Sequence, residues 1–239
     1  MPKQFFLMTN TAPSLSASYG DPVRLIGEGL AVRRGGLVVA AGIDFSLGPG
    51  DALVLKGGNG VGKTSLLRGL AGFSPLCEGR FLAMDAKSGS NIDIDWLRAT
   101  QTLFLSHNNG LYLNLSLGET INSWAKIAAT PAETLSNTLT FWGLSQLSMI
   151  SVSKLSAGQK RRLALARLSL RNCPLWLLDE PSAGLDSEGL ARLTEFATNH
   201  RQRGGIIIQT AHDGFVAAGA KTLVLEQPTP PPEPSEAAL

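Results

Sequence analysis

The sequence has little of what marks secreted, membrane-spanning or nucleic-acid-binding proteins. Its two cysteines, Cys77 and Cys173, share no metal-ligand spacing, so we expect two free thiols in a reduced compartment. No stretch reaches the roughly 18 consecutive apolar residues that a membrane span needs. The formal net charge is only +2, which favours neither nucleic acid nor an anionic membrane as a partner.

Targeting signals are equally scarce. Only Lys3 precedes the apolar run FFLM, which is too short for the core of a signal peptide. The first 20 residues contain no arginine, which argues against an organellar transit peptide. We therefore expect a cytoplasmic protein that, if it serves a membrane, does so from outside the bilayer.

Apolar strand patterns alternate with helical patterns along most of the chain. Residues 1–21 are polar and without periodicity, and residues 227–239 are rich in proline, so both segments are predicted to be flexible tails. Between them, PLWLLDEP and RGGIIIQTAH have the continuous apolar runs of strands buried on both faces. TSLLRGLAGF has a helical period. This alternation predicts an α/β fold with a parallel sheet.

A glycine-rich segment carries the first predicted site. GGNGVGKT matches G-x-x-x-x-G-K-[ST] at each fixed position, and it lies between an apolar strand and a helical pattern. Glycines let consecutive N–H groups point at phosphate oxygens, Lys63 reaches the β- and γ-phosphates, and Thr64 ligates magnesium. A glycine-rich turn with an incidental lysine would not explain both flanks. The predicted ATP-binding residues of this segment are Gly57, Gly58, Asn59, Gly60, Val61, Gly62, Lys63, Thr64 and Ser65.

Two carboxylates end a later apolar strand, LWLLDE. The carboxyl edge of a parallel sheet is where ligands gather, so Asp179 and Glu180 are placed beside the phosphate loop. Asp179 would hold magnesium through its water shell, and Glu180 would act as the general base or orient the attacking water. Alone, the pair could be a solvated acidic turn. Beside a phosphate loop it predicts ATP hydrolysis.

A second small-residue turn, LSAGQ, opens an arginine-rich helix and is suited to meet an anion. The phosphate loop precedes this turn, and the strand LWLLDE follows it. With these three segments in this order, the sequence resembles the nucleotide-binding subunits of ABC transporters over roughly residues 23–226. The resemblance implies that Asp186 belongs to the family's D-loop and that His212 is its switch histidine at the γ-phosphate. It also implies a signature motif that contains Leu155, Ser156, Gly158 and Gln159.

The resemblance also implies a fold and an assembly. The fold is that of an α/β P-loop NTPase with a RecA-like parallel-sheet core, an N-terminal antiparallel β-subdomain and an inserted helical subdomain at about 97–160, all within residues 22–226. Two chains of this family pair head to tail and hold each ATP between one phosphate loop and the partner's signature turn. We therefore expect a homodimer that uses ATP and Mg²⁺.

Two positions depart from the family's pattern. Arg34 stands where the family stacks adenine on an aromatic ring, and an arginine plane stacks on a base less hydrophobically. Asn108 stands where the family has a loop glutamine that binds magnesium and couples it to the transmembrane partner, and it is one methylene shorter. Arg34 is therefore a predicted contact of the base, and Asn108 a predicted magnesium ligand of reduced reach.

Four segments together resemble the haem-exporter ATPases of cytochrome c maturation, the CcmA family: LSHNNGL, LSAGQKRRLALARL, PLWLLDEPSAGLD and HRQRGGIIIQTAH. The resemblance implies integral membrane subunits as partners and ATP hydrolysis that frees a haem-loaded chaperone. It implies a peripheral position on the cytoplasmic face of the inner membrane, or on the matrix face in an organelle. The chain itself has no C-x-x-C-H haem motif.

Three other functions stay open: the ATPase of another small exporter, a non-transport ABC ATPase acting on ribosomes or DNA, and a regulatory module that binds ATP without hydrolysing it. The second class carries tandem ATPase domains or a long coiled-coil insertion, which this sequence lacks, and no nucleic-acid partner is expected. Asp179, Glu180 and His212 argue against the third.

The remaining basic and aromatic residues are predicted to be structural. His107 and His200 are expected at the surface, and Trp176 and Cys173 in the core. The arginines after LSAGQ are expected to form a solvated helix face rather than a nucleic-acid patch, because the total charge is near zero: Arg161, Arg162, Arg167 and Arg171.

Overall fold

The computed structural model describes residues 19–211 and 214–227. Within them, an antiparallel sheet has the strand order β2-β1-β4-β5 and a parallel sheet has the order β6-β7-β8-β3-β9. The strands are β1 Val23–Arg34, β2 Leu37–Leu47, β3 Ala52–Lys56, β4 Glu78–Asp85, β5 Asn91–Ile92, β6 Thr102–Leu105, β7 Leu175–Leu178, β8 Ile206–Thr210 and β9 Lys221–Val224. The helices are α1 Lys63–Leu70, α2 Ile94–Thr100, α3 Leu117–Ile127, α4 Ala132–Phe141, α5 Ala157–Leu170 and α6 Ser187–Gln202.

The parallel sheet is buried on both faces, as its continuous apolar runs predict. Successive side chains of a strand point to opposite faces. In β7, Leu175 and Leu177 pack with the antiparallel sheet and α1, whereas Trp176 packs on the other face with α5 and α6. All pairs within this sheet are parallel. The predicted α/β fold with an N-terminal antiparallel β-subdomain is confirmed.

Helices between β6 and α5 form a second layer of the core. The apolar side chains of α3 and α4, including Leu117, Ile121 and Phe141, pack on α5 through one buried cluster. Two short 3-10 helices, Ser145–Leu147 and Val152–Lys154, complete this region. The range of about 97–160 predicted for the helical subdomain also contains the end of α2 and the whole of β6, which pairs with β7 in the parallel sheet. The helical elements themselves begin at Leu117.

The N-terminal end of the described chain is anchored by a buried aromatic cluster. Residues 1–18 of the predicted N-terminal tail and residues 228–239 of the predicted C-terminal tail lie outside the described residues. Tyr19, however, is 7% exposed, and its hydroxyl lies 2.5 Å from Nδ1 of His200. Trp176 stacks on the His200 ring at a centroid distance of 3.6 Å. Tyr19 is therefore part of the core and not of a flexible segment.

The surface position predicted for His200 is wrong, since the side chain is 1% exposed. Both ring nitrogens have partners, because Nε2 lies 3.3 Å from the Ile206 carbonyl oxygen. A carbonyl only accepts, so Nε2 carries the proton and Nδ1 accepts from the Tyr19 hydroxyl. A tyrosine hydroxyl is protonated at neutral pH, and burial raises the pKa of Tyr19 further, to about 12.

His200 should make folding stability depend on pH. Burial lowers the pKa of His200 to about 3, whereas histidine in an unfolded chain titrates near about 6.5. Between these values the unfolded state binds the proton and the folded state does not, so stability falls as pH falls below 6.5. From pH 7 to pH 5 this group should account for a loss of about 2 kcal/mol. Urea unfolding at both pH values should show a smaller loss for His200→Gln than for the wild type; equal losses would contradict the assignment.

Candidate active site

The glycine-rich segment forms a loop between β3 and α1 that only glycine can build at two positions. Gly57 and Gly62 have φ angles of 137° and 105°, in the region that side chains disfavour. A Cβ on Gly57 would lie 2.5 Å from the Leu225 carbonyl oxygen, and one on Gly62 would lie 2.9 Å from the Val39 side chain. The loop therefore closes tightly in front of the N-terminus of α1, where a helix attracts anions.

Lys63 lies inside this loop and is 7% exposed. Its Nζ donates to the carbonyl oxygens of Gly57 and Gly58 at 2.8 Å and 2.9 Å. An ammonium group has three N–H donors, so one remains for a phosphate oxygen. Val61 is 4% exposed, and its side chain belongs to the buried apolar cluster that includes residues of β3 and α1.

The loop, Arg34 and Glu180 meet at one cavity of about 130 Å³. The end of β1 brings Arg34 to it and the end of β7 brings Glu180. None of the four predicted signature residues, which all lie in the described part of the chain, lines this cavity. Its lining residues are Arg34, Asn59, Gly60, Gly62, Lys63, Thr64 and Glu180.

Asp179 is held by hydroxyl groups from two neighbouring elements. It is 2% exposed, and Thr64 Oγ1 donates to its Oδ1 and Oδ2 at 3.1 Å and 3.0 Å. Thr210 Oγ1, at the end of β8, donates to Oδ1 at 2.8 Å. Hydroxyl and carboxylate oxygens are the ligands that magnesium prefers, so Thr64 and Asp179 fit the ion. Sequence reasoning missed Thr210, whose only signal is a polar residue closing the run IIIQT.

Glu180 has a left-handed backbone, with a φ of 47°. A non-glycine residue in that conformation is strained by about 1–3 kcal/mol and persists only where its surroundings hold it. Its N–H donates to Thr210 Oγ1 at 2.9 Å, and its carbonyl oxygen accepts from Arg161 Nη2 at 2.6 Å. Nδ1 of His107 lies 3.2 Å from Oε2 of Glu180. The exposed His107 thus contacts the predicted catalytic carboxylate.

The solvated helix face predicted for the arginines of α5 is wrong for Arg161, which is 2% exposed. Its guanidinium donates to the carbonyl oxygens of Ser106, Asp179, Glu180 and Pro181 and to Oδ1 of Asn109, at 2.6–3.0 Å. Backbone carbonyls at the strained turn need donors, and a guanidinium supplies five in a fixed fork. The other three arginines are half-buried, so they do not form the solvated face that was predicted: Arg162 and Arg167 on α5, and Arg171 directly after it.

The LSAGQ turn is the N-terminal cap of α5. Ser156 Oγ accepts from the Gln159 N–H at 3.1 Å, and Gln159 Oε1 accepts from the Ser156 N–H at 2.9 Å, which is a capping box. A Cβ on Gly158 would lie 3.0 Å from the carbonyl oxygen of Gly184, so the predicted D-loop, SAGLD at residues 182–186, packs closely on this turn. Asp186 caps α6 by accepting from the Gly189 N–H at 2.8 Å.

The loop after β6 contains two asparagines, Asn108 and Asn109, and they make different contacts. Asn108 is exposed, and its backbone carbonyl oxygen accepts a hydrogen bond from the Ser106 hydroxyl. Asn109, which the sequence did not single out, is the one that reaches Arg161. His212 lies outside the described residues, so its predicted switch role stays a prediction.

Comparison with known proteins agrees with this geometry. Residues 40–183 match the model of the ABC transporter family. The cytochrome c biogenesis ATP-binding export protein CcmA of Paramagnetospirillum magneticum is 40% identical over 205 residues, which cover 84% of this chain and 93% of that protein. The CcmA of Rhodospirillum rubrum is 36% identical and covers 95% of both chains. The chain belongs to the CcmA family of ABC transporter ATPases.

Solved structures show the same fold. An ATP-binding protein of a putative ABC transporter from Pyrococcus furiosus superposes with a TM-score of 0.70 at 20% identity, covering 84% of this chain and 97% of that one. CbiO1 of Clostridium perfringens, part of the ABC transporter complex cbiONQ, gives a TM-score of 0.61 at 28% identity, covering 79% and 78%. As a CcmA-family member the chain binds ATP and is an ATPase. Among the residues that the structure describes, none of the helices has both the length and the apolar content that a membrane span requires.

Arg34→Tyr should tighten ATP binding. Arg34 lines the phosphate-loop cavity from the end of β1, at the position where the family resemblance predicts an aromatic ring stacked on the adenine. Stacking of a base on an aromatic side chain is worth about 1–3 kcal/mol, so the dissociation constant should fall about fivefold or more. Isothermal titration with ATP measures this, and Arg33→Tyr, at the neighbouring exposed position, is the control. An unchanged constant would mean that another residue already stacks on the base.

Proposed function

We propose that this chain is the Mg²⁺-dependent motor subunit of the membrane transporter that serves cytochrome c maturation, where its ATP hydrolysis frees a haem-loaded chaperone. The observation that carries the proposal is the 36–40% identity to relatives named cytochrome c biogenesis ATP-binding export proteins, over most of both chains. The described site supports hydrolysis rather than binding alone, because Lys63, Thr64 and Glu180 line one cavity and Asp179 bonds to Thr64.

The residues of this cavity divide the work of hydrolysis. Lys63 directs its remaining N–H at the phosphates, and the N-terminus of α1 adds its dipole. Thr64 and Asp179 would hold magnesium, which neutralises phosphate charge when bound. Glu180 orients the attacking water and accepts its proton. Thr210 accepts from the Glu180 N–H and Arg161 donates to the Glu180 carbonyl oxygen, so both backbone groups of Glu180 are held and its carboxylate needs no rearrangement of the turn.

A homodimer is proposed because the cavity of one chain is incomplete. Its volume of about 130 Å³ is well below the roughly 300–1,000 Å³ of pockets that enclose a drug-sized ligand. ATP in it would leave much of its surface open. The N-terminus of α5 is the proposed second anion-binding turn, and it lies outside the cavity. A partner chain placed head to tail would bring its own Ser156 and Gly158 to that open side.

A groove of about 510 Å³ is the proposed docking site for the integral membrane subunit. It lies between the end of α1, α2, β6 and α5, and Phe73 beside it is 61% exposed. Three arginines line it together with one acid, Asp95, which pairs with Arg98 at 3.0 Å, so the groove keeps a positive charge and suits an amphipathic loop of that subunit that carries apolar and acidic side chains. The three arginines are Arg98, Arg167 and Arg171. Docking there would hold the chain peripherally at the cytoplasmic face of the inner membrane, or at the matrix face in an organelle.

The proposed role is tested in the host by replacing the gene with one that encodes Glu180→Gln. Haem staining of membrane proteins should show that covalently bound haem of c-type cytochromes is lost while b-type cytochromes persist. Glu133→Gln, on the exposed side of α4, is the matched control and should leave both intact. Normal c-type cytochromes in the Glu180→Gln strain would assign the chain to another small exporter.

A further inference from the structure

Arg161 is the point where three elements of the site meet. It lies on α5, close behind the LSAGQ turn. Its Nε and Nη2 donate to three carbonyl oxygens of the turn that contains Glu180, and its Nη1 donates to Ser106 and Asn109 in the loop after β6. One guanidinium therefore connects the signature helix, the catalytic turn and the loop predicted to sense the membrane subunit.

The contacts of Arg161 differ in how easily they can be broken. Four of its acceptors are backbone carbonyls, which move only with the chain itself. The fifth is Oδ1 of Asn109 at 2.8 Å, and a rotation of that half-buried side chain would release it. Burial lowers the pKa of Arg161 to about 10, and Asp179 and Glu180 oppose this, so the group stays charged at neutral pH.

The same loop also reaches Glu180 without the arginine. His107, between Ser106 and Asn109, lies 3.2 Å from the Glu180 carboxylate. Tyr112 and Leu113, a few residues further on, are 68% and 55% exposed. A displacement of this apolar segment would therefore move the loop. The loop bonds to Arg161, which bonds to the Glu180 carbonyl oxygen, and His107 contacts the Glu180 carboxylate.

We propose that Arg161 is a positioning residue that ties the loop of residues 106–109 to the catalytic turn, with the Asn109 contact as its releasable part. The proposal rests on the proposed catalytic role of Glu180. When Arg161 donates to Asn109, the strained backbone of Glu180 is held in place. When the bond between Arg161 and Asn109 is broken, Arg161 reorients and the turn that contains Glu180 becomes more mobile, which slows hydrolysis without weakening ATP binding.

Asn109→Ala and Asn109→Asp in the full chain test this tie, with MgATP as the substrate. Alanine should lower kcat about tenfold at unchanged KM, the loss expected for a hydrogen bond to a charged group. Aspartate keeps an acceptor oxygen of the same reach, so it should restore most of kcat.

Amide hydrogen exchange should accelerate in Asn109→Ala both in the loop and at residues 179–184, whose Glu180 N–H is bonded to Thr210.

Arg161→Lys keeps the positive charge but loses the planar guanidinium with its five N–H donors. It should therefore lower kcat more than Asn109→Ala does. Arg162→Lys, the next residue on α5, is its matched control.

Three results would each overturn the proposal. They are an unchanged kcat in Asn109→Ala, faster exchange confined to the loop, and equal losses of kcat in the alanine and aspartate variants. A wild-type chain that hydrolyses no ATP would instead contradict the proposed function, and the exchange experiment would still test the tie.

Discussion

Glu180→Gln should lose nearly all ATP turnover and keep ATP binding. General-base catalysis by a positioned side chain contributes about 10²–10⁴-fold to a rate, and an amide cannot accept the proton. The substitution is isosteric, so the left-handed backbone with its bonds to Thr210 and Arg161 is unaffected. The phosphate loop and Lys63 are unaltered, which is why binding should survive.

We expect the proposed head-to-tail dimer to close on ATP and to reopen after hydrolysis, so this variant should accumulate as a dimer when ATP is added. Phosphate release assays and size-exclusion chromatography with and without ATP measure both outcomes. Glu133→Gln is the control for a lost carboxylate elsewhere on the chain. Near-normal turnover in purified Glu180→Gln would remove Glu180 from its proposed role.

Lys63→Ala should instead abolish high-affinity ATP binding. The lysine is 7% exposed, and its Nζ is held at the centre of the loop by two carbonyl oxygens, so its charge acts at short range on the phosphates. Hydrogen bonds to charged groups contribute about 1.5–3 kcal/mol each, so the dissociation constant for ATP should rise by about 10–100-fold.

Alanine at this position also leaves the carbonyls of Gly57 and Gly58 without their donor, so the loop itself can relax. Thermal unfolding separates that effect from the loss of charge, since a folded variant with an unchanged melting temperature isolates the phosphate contact. Lys56→Ala, at the exposed end of β3, is the control for removing a nearby cation. Wild-type affinity in Lys63→Ala would show that the loop binds phosphate through its backbone alone.

What the sequence determined by itself is the local framework. The strands β3, β7 and β8, the helix α1 and the glycine loop all follow from patterns within short segments, because burial on two faces demands apolar runs and a sharp turn demands glycine. The order of the elements then predicted a parallel sheet, whose carboxyl edge brings Lys63 and Asp179 to one side of the molecule.

Only the tertiary structure decided the contacts between residues far apart in the chain. Arg161 reads locally as one charge among several on a helix, yet it is buried because the turn at Glu180 and the loop at Asn109 present carbonyl and amide oxygens to it from 19 and 52 residues away. Tyr19 likewise meets His200 across 181 residues. Whether a polar side chain is solvated or buried depends on partners that the fold supplies, and short-range patterns carry no information about them.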